Sequence, residues 1–210
     1  MSRNYHQYCP IAHALDLVGE RWSLLVVREL VGQGPLRYSD LHARLDGCGT
    51  NILAARLKAL EAGGVVRRRK LPPPAAATVY ELTEYGLELR PVLSLLAHWG
   101  ARSLGAPTPG EERHEGWLAG ALRTAVAPHA SRSSIEFRMG EEVAALVEGS
   151  VVDGAAEMPD AVVTGDAAAF YCLMVDRDLS SVEIAGDGRA VEALLAALPG
   201  TPTAGPVVPR

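Results

Sequence analysis

Residues 47–82 read GCGTNILAARLKALEAGGVVRRRKLPPPAAATVYEL, and their spacing decides the fold of the first half. Gly47-Cys48-Gly49 breaks the chain. Thr50 then predicts an N-cap for a helix with Leu53, Leu57 and Leu60 on one face, stopped by Gly63-Gly64. Two β-like segments follow, Val65 to Leu71 and Thr78 to Leu82. Pro72-Pro73-Pro74 and the three alanines between them cannot hold a ladder, so they predict a loose hairpin tip. The polar face of the helix carries Thr50, Asn51, Ala55 and Lys58, with Arg56 at its edge. The hairpin carries Arg67-Arg68-Arg69-Lys70, four consecutive cations.

Working outward from this stretch, three helices precede it. Ile11, Leu15 and Val18 recur at helical spacing up to Gly19. Trp22, Leu25, Val26 and Leu30 mark a second helix ended by Gly32 and Gly34-Pro35. A short third lies around Tyr38, Leu41 and Leu45. Downstream, Thr83 caps a last long helix, with Leu82 and Leu87 placed as a hydrophobic staple and Pro91 predicting a kink. Its apolar residues include Leu87, Leu89, Val92, Leu93, Leu95, Leu96 and Trp99, more than one face of a small domain buries internally. Helices and hairpin in this order describe a winged helix-turn-helix. The third helix braces the fourth, whose polar face is left for a DNA major groove, while the hairpin cations reach phosphates or a minor groove. The alternative is a solvated charged face on an ordinary helical domain.

Composition agrees with two small domains. Of 210 residues, 48% are hydrophobic and 21% charged, which excludes a disordered tail protein and a collagen-like repeat. No apolar run is long enough to span a membrane, and Met1 to His6 lead into no signal-peptide core, so a cytoplasmic protein with no membrane partner is expected. Cys9, Cys48 and Cys172 are too few and too widely spaced for a disulfide scaffold or a structural zinc site. Residues 1–104 carry a net charge of +4 and residues 105–210 a net of −9, within the total of −5. A basic half joined to an acidic half reads as a nucleic-acid module attached to something that avoids nucleic acid. The Gly- and Pro-rich stretch 105–116 is the expected linker, and the proline-rich residues 200–210 an expected disordered tail.

The stretch from Tyr8 to Trp99 resembles the HxlR-type transcriptional regulators, a branch near the MarR regulators. The resemblance rests on Cys9-Pro10, Gly19-Glu20-Arg21-Trp22, Arg37-Tyr38-Ser39-Asp40-Leu41, Leu53 to Glu61, Tyr80 to Gly86 and Trp99. Cys48 departs from the small aliphatic residue usual at its position. The resemblance implies a homodimer paired through the first and last helices, which assigns Leu89, Val92, Leu95, Leu96 and Trp99 to dimerisation and predicts a near-palindromic double-stranded operator. In this reading Arg37 and the wing cations hold phosphates, while Asn51 and its neighbours read bases.

The second half, 117–199, predicts an α+β domain with an antiparallel sheet covered by helices. Trp117 to Val126 reads as a helix. Ile135, Phe137 and Met139 alternate with Glu136 and Arg138 in a strand, and Val143 to Glu148, Ser150 to Ala155 and Asp160 to Thr164 give three more. An apolar helix, Ala167 to Val175, is followed by a strand at Val182-Glu183-Ile184 and a closing helix containing Val191 and Leu198. Glu148-Gly149, Pro159 to Asp166 and Ile184-Ala185-Gly186-Asp187 in this order resemble the sterol carrier protein-like domain. That resemblance implies an apolar cavity between sheet and helices, with Trp117, Phe137, Phe170, Tyr171 and Met174 as pocket residues for a small hydrophobic ligand. Simple core packing by the same side chains is the alternative.

No catalytic constellation stands out. Ser131, Ser133 and Ser134 lie near His129, but there is no Gly-x-Ser-x-Gly elbow and no phosphate loop, so no enzyme activity and no cofactor are expected. Cys9 begins the first helix, where the dipole favours a thiolate, with His6 and His13 three and four residues away. Its resemblance to the cysteine with which some HxlR-type regulators sense quinones or oxidants marks it as a redox-sensing candidate. A packing role, or a His6-Cys9-His13 metal site, are the alternatives. The expected function is therefore a homodimeric regulator responding to a hydrophobic ligand or to an electrophile at Cys9. The rival is a lipid carrier whose winged helix is a protein-interaction module.

Overall fold

The computed structural model describes residues 4–104, 116–126 and 132–198. The expected linker before Gly116, the expected disordered tail, His129 and Ser131 lie outside the described residues. Two compact units make up the chain, Met1–Leu93 and Ser94–Arg210.

The first unit runs α1 (Pro10–Val18), α2 (Ser23–Gln33), α3 (Tyr38–Arg44), α4 (Thr50–Ala62), β1 (Val66–Lys70), β2 (Thr78–Leu82) and α5 (Glu84–Leu87). Val26, Val27 and Leu30 of α2, Leu41 of α3, and Leu53, Leu57 and Leu60 of α4 close one core. Burying such side chains is worth about 1.5–3 kcal/mol each, which outweighs the modest propensities of these short helices. β1 and β2 pair antiparallel from Val66 opposite Leu82 to Lys70 opposite Thr78. Leu36 adds a bridge to Tyr80 on the free side of β2. Beyond the wing, the Thr83 side chain accepts from the Gly86 amide at 3.0 Å and its hydroxyl donates to the Gly64 carbonyl at 2.6 Å. A Cβ on Gly86 would stand 2.1 Å from the Val65 carbonyl oxygen, so only glycine lets α5 lie against the wing base.

Three local expectations are corrected. Trp22 does not lie in the second helix; it precedes α2 at φ +80°, because the Ser23 amide first closes a turn onto the Glu20 carbonyl. Gly49, not Thr50, is the N-cap of α4, and Thr50 is its first helical residue. The helix capped by Thr83 is not one kinked rod. It ends at Leu87, and α6 (Leu89–Leu104) starts after Glu88, with Leu87 exposed. Pro91 has no amide to give the Leu87 carbonyl and its ring crowds that oxygen, so it sits in the first turn of a new helix instead. The division between the units falls within α6.

The second unit runs α7 (Trp117–Ala125), β3 (Ile135–Met139), β4 (Glu142–Val147), β5 (Ser150–Asp153), β6 (Ala161–Thr164), α8 (Ala167–Tyr171), β7 (Glu183–Gly186) and α9 (Gly188–Ala197). The sheet order is β5-β4-β3-β6-β7. It is mixed rather than antiparallel, since β3 and β6 run parallel, Ile135 beside Ala161. After β5 the chain crosses through residues 154–160 to the far side of β3, and a strand arriving by a crossover can enter in β3's own direction. The inward side chains of β3, β4 and β6 share a core with α7, α8 and α9. α8 does not continue as an α-helix to Val175; Cys172–Asp176 forms a π-helical turn. Glu136, alternating outward on β3, is nonetheless buried: its carboxylate accepts from Arg138 and from the Ala156 amide of the crossover.

Candidate nucleic-acid interface

The Leu53, Leu57 and Leu60 face of α4 is buried, which leaves Thr50, Asn51, Ala54, Ala55 and Lys58 exposed on the other side. Ile52 is also exposed, 47%, at the start of the helix. An apolar side chain there can meet a thymine methyl group. Sequence periodicity assigns Ile52 no role, because it falls out of phase with the leucines. The turn between α3 and α4 is tied by the Tyr38 hydroxyl, which donates to the Thr50 carbonyl at 2.7 Å. Cys48 packs in this turn at 4% exposure, and burial pushes its thiol pKa up. Arg37 is exposed at the N-cap of α3. Arg56 is less free than its neighbours: it is half-buried and its guanidinium lies 3.4 Å from the Glu20 carboxylate.

All four wing cations are exposed, and three are paired. Arg67 and Arg69 each donate through Nε to one oxygen of Glu81, both at 2.8 Å, and Arg68 donates through Nε to Glu61 at 2.9 Å. Glu81 is buried, yet the hydrogen bond from Arg69, reinforced by Arg67, holds its carboxyl below the usual carboxylate range. Glu61 closes the Leu53-to-Glu61 motif but is given no role there, and Glu81 falls at an unspecified position between Tyr80 and Leu82. Hairpin register would have found Glu81, since it stands directly opposite Arg67. Glu61 sits in the last turn of the reading helix, and only the tertiary approach of α4 to β1 brings it to Arg68.

The remaining positions separate by environment. Val92, Leu95, Leu96 and Trp99 of α6 are exposed, as are Ile11 and Leu15 of α1, whereas Leu89 is half-buried against the first core. Cys9 is the half-buried N-cap of α1, ahead of Pro10. His6, Cys9 and His13 are not brought to a common point, and among the described residues no group of three His, Cys, Asp or Glu side chains is arranged to hold a metal ion. In the second unit, Phe137 and Phe170 are buried with ring centroids 6.2 Å apart, Met174 packs against that core, and Trp117 is exposed. The Tyr171 hydroxyl donates to the Ala101 carbonyl of α6 at 2.6 Å. Near it, His98 has a buried Nε2 with no partner; burial, and then the charge of Arg177, hold its pKa below the ordinary imidazole value. Among the described residues no helix is long and apolar enough to cross a membrane.

A buried-backed reading helix beside a cationic wing defines the class: a winged helix-turn-helix DNA-binding protein. Residues 17–107 match the HxlR-like helix-turn-helix family. A helix-turn-helix-type transcriptional regulator of Synechocystis, sll1512, is 40% identical over 93 residues, which span 44% of this chain and 68% of that protein. The regulator YvaP of Bacillus subtilis is 35% identical over 97 residues, 46% of this chain and 89% of its own length. The solved structure of the reduced form of YodB from B. subtilis is 31% identical over 46% of this chain and 94% of its own, with a TM-score of 0.40. The chain belongs to the HxlR-like helix-turn-helix family, and is a DNA-binding transcriptional regulator of that type.

Proposed function

We propose that this chain binds a near-palindromic double-stranded operator as a homodimer and is switched by a signal received outside its DNA-reading surface. Asn51, Thr50 and Ala55 face base edges, Lys58 and Arg56 flank them, and Arg37, Arg67, Arg68, Arg69 and Lys70 contact phosphates. The observation that carries this reading is the division of α4 into a buried leucine face and an open polar face, flanked by four exposed wing cations. Exposure of Val92, Leu95, Leu96 and Trp99, side chains that a lone helix leaves costly in water, supports pairing through α6. Selection of duplexes from a random pool, followed by footprinting, tests the reading. Two protected half-sites about one helical turn apart are expected, with affinity falling steeply as salt rises. A salt-independent association, or a single unpaired half-site, would refute it.

The signal is proposed to be a small hydrophobic ligand held by the second domain, 117–199. The order β5-β4-β3-β6-β7, with helices on one face and an apolar helix between β6 and β7, supports the sterol carrier-like reading. Phe137, Phe170, Tyr171 and Met174 would line the site after the Phe137–Phe170 pair opens. The second reading, modification of Cys9 by an electrophile, is favoured by one observation: its thiol begins α1 and is not fully buried.

A further inference from the structure

The wing places two arginines and one carboxylate on a single face. Arg67 lies directly opposite Glu81 in the β1–β2 register, and Arg69, two residues on, reaches the other carboxylate oxygen diagonally. On the opposite face Arg68 reaches Glu61, which belongs to the reading helix. All three pairs use Nε. A guanidinium has five N–H donors, so the Nη fork of each arginine stays available for bidentate contact with a phosphate. The wing is therefore not a set of loose cations. Its arginines are pinned at the base of the fork, one of them to the helix that reads the bases.

We propose that Glu81 and Glu61 are specificity-determining residues for DNA binding: they hold the wing arginines in one orientation, which meets phosphates only when α4 is seated in register. An unpinned arginine samples many rotamers and finds a phosphate beside any sequence, which adds affinity without information. A pinned one delivers its contact mainly at the correct site. The carboxylates also repel phosphates, and this repulsion weighs most where no base contacts offset it. The inference rests on the reading of the wing as a phosphate-contacting element.

The test uses the full chain, a duplex selected from a random pool by the unsubstituted protein, and a scrambled duplex of the same composition, titrated over a salt series. Glu81→Gln should bind the scrambled duplex about ten-fold tighter and steepen its salt slope by about one, while affinity for the selected duplex rises less than about three-fold. The specificity ratio then falls. Adding Arg67→Gln to Glu81→Gln should remove the gain on scrambled DNA, which a merely structural defect would not do. Glu61→Gln should lower the ratio in the same way through Arg68, with the helical circular dichroism unchanged. A ratio unchanged in both glutamate variants, whether the affinities rise together or fall together, overturns the inference while leaving the phosphate role of the wing intact. Loss of salt dependence in the unsubstituted protein would instead remove the phosphate role, and the inference with it.

Discussion

The Tyr38 hydroxyl donates to the carbonyl of Thr50 at 2.7 Å, so the first residue of α3 is bonded to the first residue of α4. The contact ties the first turn of α4 to α3, adding to the packing of Leu41 and Leu53 in one core. Tyr38→Phe keeps the ring, which stacks on His42 at 6.3 Å, and removes only the hydrogen bond. The expected cost is about 0.5–1 kcal/mol of unfolding free energy, as the bond is exposed. Operator affinity should drop more than affinity for scrambled DNA, measured by anisotropy, because base contacts need the helix in place and phosphate contacts tolerate small shifts.

Asn51 is exposed on α4, one residue into the helix. Asn51→Ala should relax preference at one base position per half-site, costing about 1–3 kcal/mol there and nothing on scrambled DNA. A binding-site selection repeated with the variant checks the position directly.

Leu95 and Leu96 are exposed on α6 at 58% and 42%. In a dimer seam an aspartate at either position has no partner and a high desolvation cost. Leu95→Asp should therefore run as a monomer by light scattering and lose operator binding, with its melting temperature in dilute solution little changed. A variant that remains dimeric would move the seam to another surface.

Burial, and then the charge of Arg177, disfavour the protonated form of His98 in the fold. Its folded pKa lies below the unfolded value of 6.5, so the unfolded chain takes up a proton first as pH falls. The stability contributed by His98 is thus fully present above that value. It is lost as pH falls below it, until His98 protonates within the fold. His98→Leu should flatten the fall in denaturant midpoint between pH 7 and pH 5 relative to the unsubstituted chain.

The two signalling routes make opposite demands. If an electrophile at Cys9 is the signal, Cys9→Ser keeps DNA binding and loses release by a quinone. If the second domain is the sensor, Cys9→Ser responds normally, and Phe170→Ala or Met174→Ala blunts release by an apolar ligand. A ligand shifts DNA affinity only by its differential affinity for the two states, so its own dissociation constant must change when operator is added. Isothermal titration of candidate hydrophobic ligands with and without DNA measures that change; equal affinity in both arms would make the second domain a scaffold.

The amino-acid sequence determined which elements the first unit contains and their order, though not every helix boundary. Leucines at 53, 57 and 60 between glycine breaks specify a one-sided helix, and the run from Arg67 to Lys70 before three prolines specifies a cationic hairpin, because periodicity and turn chemistry are local properties. It also located the strands of the second unit. What it did not contain was their direction. A period of two says which face a residue occupies but not which strand lies beside it, so the parallel pairing of β3 with β6 was settled only by the path of the crossover. The same limit hid the meeting of Glu61 with Arg68, which depends on how α4 packs against β1, and the burial of Glu136, which alternation alone assigns to solvent. Pro91 was visible, but only the break at Glu88 showed that it sits in the first turn of a new helix and does not bend one long helix. Local pattern fixes which elements form; the non-local competition for burial and hydrogen-bond partners fixes how charges and strands meet.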